Sequence, residues 1–178
     1  MTTVTAPRPE EHSWFGFLEL SWFITVMATA LAMAAAIAHA LELPNKLAMD
    51  QQDYFAAQQS YRGWNQLAFL LSIEVTGMIA FAASYWRVRP IRWRLLAALV
   101  FVAFAQLAFW FFTFPANGAT DNWTIMPPNW AALRAQWEYS HLTGAICQVL
   151  AFSFLLLAVL RWASLKEEGA RAAPADLG

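Results

Sequence analysis

Residues 93–114, WRLLAALVFVAFAQLAFWFFTF, decide the fold. The stretch carries one charge, Arg94 at its start, and two other polar side chains, Gln106 and Thr113. About 20 such residues in an α-helix cross the hydrocarbon of a bilayer. Only a helix or a closed barrel satisfies its backbone there. Three more stretches read the same way: Phe17 to Leu41, Gln66 to Trp86 and Glu138 to Trp162. Proline lacks an N–H and its ring clashes with the preceding turn, so the first helix is expected to stop at Pro44 and the third before Pro115. The expected fold is an all-α membrane protein. It is a four-helix transmembrane bundle with 1–164 as its single domain and 165–178 as a disordered cytoplasmic tail.

Composition agrees. The chain has 178 residues, 60% hydrophobic and only 13% charged, with ten Trp and fourteen Phe. Soluble domains carry about 25% charged residues. A net charge of −1 speaks against nucleic acid as a partner. The single cysteine, Cys147, excludes an internal disulfide, a thiol-pair redox centre and a cysteine-rich metal site. Met1 to Ser13 does not read as a signal peptide, because it holds Glu10 and Glu11 and the apolar run behind it is too long.

Lysine and arginine set the expected orientation. Arg87, Arg89, Arg92 and Arg94 lie between the second and third helices, and Arg161, Lys166 and Arg171 follow the fourth. The opposite loops carry only Lys46, Arg62 and Arg134. By the positive-inside rule, both termini are cytoplasmic, in a multi-pass protein of the inner (plasma) membrane. The outer loop 45–65 is polar and suits a short helix on the membrane surface. The outer loop 115–137 is rich in Pro, Asn and Trp, and a connection of that length in a small bundle serves as a lid or a site wall.

Ionisable residues inside spans are costly and point to function. His39 and Glu42 are three apart at the outer end of the first helix. Glu138 and His141 are three apart at the outer start of the fourth. Each pair therefore shares a helix face. Glu74 lies deeper, in the second helix, as the floor of the same cavity or as a separate buried acid with Arg62 its candidate partner. A lone Glu or His at a helix end is usually just hydrated; the convergence of four carries the case. Glu-x-x-His on one helix and His-x-x-Glu on another resemble the ligands of four-helix di-metal carboxylate proteins. One motif is reversed and the third helix offers no carboxylate, so no cofactor, or a metal ion on His39, Glu42, Glu138 and His141, both stay open.

The blocks AHALELPNKLAM (38–49), YRGW (61–64), FPANGATDNW (114–123) and PPNWAALRAQWEYSH (127–141) resemble the bacterial DUF1772 proteins. That family is related to the membrane anthrone oxygenases. The resemblance runs from about Trp22 to about Leu160. It is most specific at Pro115 and Asn117, a Pro-x-Asn pattern, and at Trp137 and His141, a Trp-x-x-x-His pattern. It implies an oxygenase-like protein that converts a reduced aromatic, anthrone- or quinol-like, with molecular oxygen. A His paired with a carboxylate is then the base. Asn117 helps hold a developing oxyanion, and Trp123, Trp130 and Trp137, with Asn65, Arg62 and Glu74, line the substrate site.

Three functions compete on these residues. One is an oxygenase acting on a hydrophobic small molecule that enters from the bilayer. Another is a metal-binding oxidase subunit. The third is a non-enzymatic small transporter or assembly partner, against which the absence of an inverted repeat counts. Lipid surrounds the chain in every case, and association into a homo-oligomer stays open.

Overall fold

The computed structural model describes residues 9–172, and these are helical throughout apart from short links, with no strand among them. Six α-helices follow in order: α1 Pro9–Ala48, α2 Gln51–Gln58, α3 Leu67–Ser84, α4 Arg89–Ala108, α5 Phe114–Ala119 and α6 Trp130–Ala172. A π-helical segment, Phe109–Thr113, joins α4 to α5, so that Arg89–Ala119 is one rod. Four rods are long and apolar enough to cross a membrane: Gly16–Ala48, Trp64–Ser84, Arg89–Ala119 and Trp130–Gly169. This is the architecture of a multi-pass membrane protein.

Both boundaries expected at prolines are overturned. Helix α1 continues through Pro44 to Ala48. The turn beyond the proline is clamped from outside, because Arg134 donates to the carbonyls of Lys46 (3.3 Å) and Met49 (2.7 Å). Those carbonyls would otherwise be orphaned at the helix end. Nor does Pro115 end the third rod. The wider π turn lies directly before it, at the place where a regular turn would set the ring against the carbonyl four residues back. Gln136 donates to the Phe112 carbonyl in that turn, at 2.8 Å. The fourth helix also starts two turns early, at Trp130. It continues through 165–172, where a disordered tail was expected; residues 1–8 and 173–178 lie outside the described residues.

The rods close a ring in which α1 packs on α3 and α6, and α4 packs on α3 and α6. Their shared core holds Trp22, Met78, Phe81, Leu95 and Leu155. Trp22 stacks on Phe81 with centroids 3.7 Å apart and planes nearly parallel. At Gly77 the approach of α3 to α1 is so close that a Cβ would lie 2.2 Å from Thr25 Oγ1. Thr25 and Thr29 return their hydroxyls to carbonyls one turn back, at 2.9 Å each, which keeps these polar groups satisfied in an apolar interface. Glu19 pairs with Lys166, and Trp22 lies 5.8 Å from Trp162 and 6.2 Å from Tyr85. The start of α1, the α3–α4 link and the end of α6 therefore share one end of the bundle. At the other end, α2 and the 114–137 segment meet in a second, smaller core of Tyr54, Phe55, Trp123, Leu133 and Trp137.

Candidate functional site

Three helix faces converge on that second core. On α1, His39, Glu42 and Lys46 follow one another at three and four residues; on α6, Trp137 and Glu138 lie three and four residues after Arg134 and four and three before His141. Such spacings put each set on one stripe. The third face belongs to α2, whose N-terminus is capped by the Asp50 carboxylate accepting from the Asp53 amide at 2.9 Å. It delivers Tyr54 and Gln58, and the 3₁₀ turn behind it delivers Tyr61.

Lys46 sits at the centre. Its side chain is 4% exposed and its ammonium lies 2.8 Å from Glu42 Oε2, whose side chain is 49% exposed. The same ammonium is 4.0 Å from Oε1 of Glu138, which is fully buried. Lys46 also donates to the Tyr61 hydroxyl, which donates in turn to Glu42. The Tyr54 hydroxyl donates to Glu138 at 3.0 Å and accepts from Gln58 at 2.6 Å. Burial and the neighbouring Glu138 push the Tyr54 phenol well above its ordinary value; burial and Glu42 do the same at Tyr61. Both phenols therefore remain protonated and act as donors to the carboxylates. The ammonium further lies 4.1 Å from the Tyr61 ring centroid and 5.1 Å from that of Trp137, positions where a cation is attracted to a π face.

Beside this cluster, the imidazoles of His39 and His141 face each other with centroids 4.6 Å apart. Aromatic rings surround them. His39 is within 4.4 Å of Tyr61, 4.9 Å of Trp64 and 5.3 Å of Trp137, and His141 is 3.7 Å from Trp137. His141 Nδ1 is 2.9 Å from the Trp137 carbonyl. A carbonyl only accepts, so Nδ1 carries the proton and, in the neutral ring, Nε2 holds the lone pair. His39 Nδ1 and Glu138 Oε2 are buried without a partner among the described residues. The expected His–carboxylate pairs do not form: Lys46, one turn beyond Glu42, and the two tyrosines occupy the carboxylates instead.

The aromatic loop folds back over the helix ends. Trp123 is buried, with its ring edge-on to Tyr54 at 5.1 Å and to Phe55 at 5.4 Å. Asn117 Oδ1 accepts from the indoles of both Trp123 (3.0 Å) and Trp137 (2.9 Å). Those two N–H groups are thus committed to Asn117 and unavailable to an oxyanion. Asn117 positions the lid and the Trp137 wall. Asp121, Asn122 and Trp123 have φ of 45°, 53° and 64°, three consecutive left-handed residues without a glycine. The Trp123 amide is held by Thr120 Oγ1 at 3.1 Å.

The remaining expected residues lie elsewhere. Glu74 is fully buried but bonds Gln148, at 3.2 Å. Gln148 is seven residues below His141 on α6, about 10 Å further along the axis, so Glu74 is a separate buried acid. Arg62 is exposed and donates to Gln59 at 2.7 Å, not to Glu74. Asn65 is exposed on the 3₁₀ turn after Gly63. Trp130 packs on Phe55 and lies under the Arg134 guanidinium, 4.6 Å away. It supports the wall from outside.

Among the described residues no group of three or more His, Cys, Asp or Glu comes together as metal ligands. The four-ligand set of His39, Glu42, Glu138 and His141 is not assembled. An ammonium stands between the two carboxylates, which a cation site does not tolerate, and the two imidazoles pack ring against ring, with planes tilted by 53°. The residues do not fit a resident metal.

Sequence reasoning missed Lys46, Tyr54, Tyr61, Gln58 and Arg134. The signal for Lys46 was present: Glu42 and Lys46 are an i,i+4 pair, hidden by the assumption that Pro44 ends the helix. Arg134 was readable as a cation one turn before Glu138 on the same α6 stripe. Nothing local could have indicated that Tyr54 would reach Glu138, 84 residues away.

The fold and the site together define a multi-pass helical membrane protein with a buried ion cluster and an imidazole pair at one end. No family model, no curated protein and no solved structure matches the chain.

Proposed function

We propose that this chain is a membrane oxygenase acting on a hydrophobic aromatic with an acidic methylene, of the anthrone type, by acid–base chemistry without a resident metal. The observation that carries this reading is the opposed His39–His141 pair in an aromatic cage. There the Trp137 carbonyl anchors His141 Nδ1 and leaves Nε2 as a base. A base within reach of an acidic C–H contributes about 10²–10⁴-fold. The flat ring reaches the imidazoles from the bilayer by displacing Trp64, which is 37% exposed and lies over His39.

The methylene then loses a proton to His141, and negative charge collects on the conjugated oxygen. The Lys46 ammonium, which lies against the Tyr61 and Trp137 rings that wall the imidazoles, is the donor for that charge. Molecular oxygen takes up the electron pair of the carbanion to give a hydroperoxide, with the proton returned from the histidine. Loss of water from the hydroperoxide leaves the quinone carbonyl. One methylene and one O₂ thus give one carbonyl and one H₂O. The resemblance to the anthrone oxygenase relatives points to the same reaction class. The Lys/Arg distribution supports a cytoplasmic-membrane protein with both termini inside.

The test is oxygen uptake by membranes containing the chain, supplied with an anthrone, read with quinone absorbance. His141→Ala should lower the rate at least about 100-fold while the protein remains inserted. Glu19→Ala, in the exposed ion pair at the opposite end, should match the parent. Equal rates in parent and His141→Ala membranes, or no uptake above empty membranes, would rule the reading out.

A further inference from the structure

At the opposite end of the bundle, the sequence from residue 75 to residue 120 contains no Asp or Glu, yet it carries Arg87, Arg89, Arg92 and Arg94. Two of these have different surroundings from the rest. Arg92 is engaged: its guanidinium donates to the Trp86 carbonyl at 2.9 Å and lies 4.7 Å from the Trp86 ring and 5.1 Å from that of Trp93. Arg89 and Arg94 instead open onto a groove of about 580 Å³ between α4 and α6, lined further by Pro90, Trp93, Phe154 and Leu157. Arg89 has no partner among the described residues, and Arg94 makes one bond, to the Pro90 carbonyl.

The groove has two chemistries in series. Its mouth is cationic, and the N-terminus of α4 at Arg89 adds a partial positive charge. Its wall is apolar: Trp93 and Leu157 are exposed, and Phe154 is fixed by stacking on Phe101 at 5.7 Å. The membrane-crossing part of this rod begins at Arg89, which puts the guanidiniums at headgroup level and Phe154 and Leu157 at chain level. A free anion would satisfy the mouth and leave the wall uncovered. A lipid without net charge would cover the wall and leave the charge of two arginines uncompensated. We propose that this groove is a binding site for an anionic phospholipid, with its phosphate on Arg89 and Arg94 and one acyl chain along Trp93, Phe154 and Leu157. Basic pockets between membrane helices take such headgroups, each arginine adding a comparable increment. The site is independent of the imidazole cluster at the other end.

The experiment uses the full chain in detergent, titrated with phosphatidylglycerol, phosphatidylethanolamine or inorganic phosphate. It is read by native mass spectrometry for bound lipid and by melting temperature. Phosphatidylglycerol is expected to bind and to raise the melting temperature. Phosphatidylethanolamine is expected to bind at least about tenfold more weakly, and phosphate alone to leave the melting temperature unchanged. The double variant R89Q/R94Q should lose phosphatidylglycerol binding by about tenfold or more, as two basic side chains near a headgroup imply, whereas R89K/R94K should keep it within about threefold. Leu157→Glu, which leaves both arginines in place, should weaken binding like the double glutamine variant. Equal binding of the two lipids, a shift produced by phosphate alone, or undiminished binding in R89Q/R94Q or Leu157→Glu would overturn the proposal.

Discussion

Lys46 is the residue on which the imidazole end of the bundle depends, because among the described residues it is the one cation placed between two carboxylates on different helices. Removing one partner of a buried ion pair leaves a charge without compensation and costs about 3–5 kcal/mol. Glu42 is half exposed and recovers water, so the lower end of that range, about 3 kcal/mol, is expected for Lys46→Met. The variant should melt lower in detergent by several degrees. Adding Glu138→Gln, which removes the stranded charge, should return part of the loss, a non-additivity expected of residues in contact. Strictly additive losses would show that the 4.0 Å separation carries no coupling. At this scale the sequence was legible wherever helical spacing alone decides: His39 with Glu42 and Glu138 with His141 do share faces and do converge. It was silent on what those side chains bond, since that depends on partners brought in from α2.

Helix boundaries were legible by length and composition but not by proline. Both Pro44 and Pro115 lie inside continuous rods, one followed by a turn held by Arg134 and the other preceded by a π turn. In each case a side chain from α6, Arg134 or Gln136, binds a carbonyl of the irregular turn, and such distant support is invisible to local rules. The α1–α3 pair offers a direct test of packing between elements. With Thr25 Oγ1 only 2.2 Å from where a Cβ would stand at Gly77, Gly77→Ala must separate the two helices or force a rotamer change, at a cost of about 1–3 kcal/mol. Thr25→Ala removes the two nearest atoms, so Gly77→Ala/Thr25→Ala should be more stable than Gly77→Ala alone. Thermal unfolding in detergent reads both. A harmless Gly77→Ala would mean that the contact is not a constraint.

Across the whole molecule, the two ends differ in kind: one holds arginines at the mouth of an open groove with an apolar wall, the other an interior of charge and aromatic rings. The asymmetry also bears on insertion. Of the three basic residues at the imidazole end, Lys46 is buried in an ion cluster and Arg134 is bound to carbonyls. The arginine-rich end should therefore face the cytoplasm, and a reporter fused after Gly178 should be active there. A reporter active only on the far side would reverse the orientation. Four spans and their order were readable because hydrophobic length is a one-dimensional property. The lid was readable only as a loop, because its shape comes from contacts with α2 and α6.

That lid has a consequence for timing. Asp121 and Asn122 tolerate left-handed backbone, but Trp123 does so at a cost of about 1–2 kcal/mol. What offsets it lies on other elements: the rings of Tyr54, Phe55 and Trp137 around the indole, and the bond to Asn117. On the ribosome, residues 121–123 are made, and leave the exit tunnel, before Trp137 does. The turn therefore lacks its Trp137 wall until α6 arrives. The surroundings of the histidines, which include Trp137 and His141 of α6 itself, cannot be complete before the fourth span is in place.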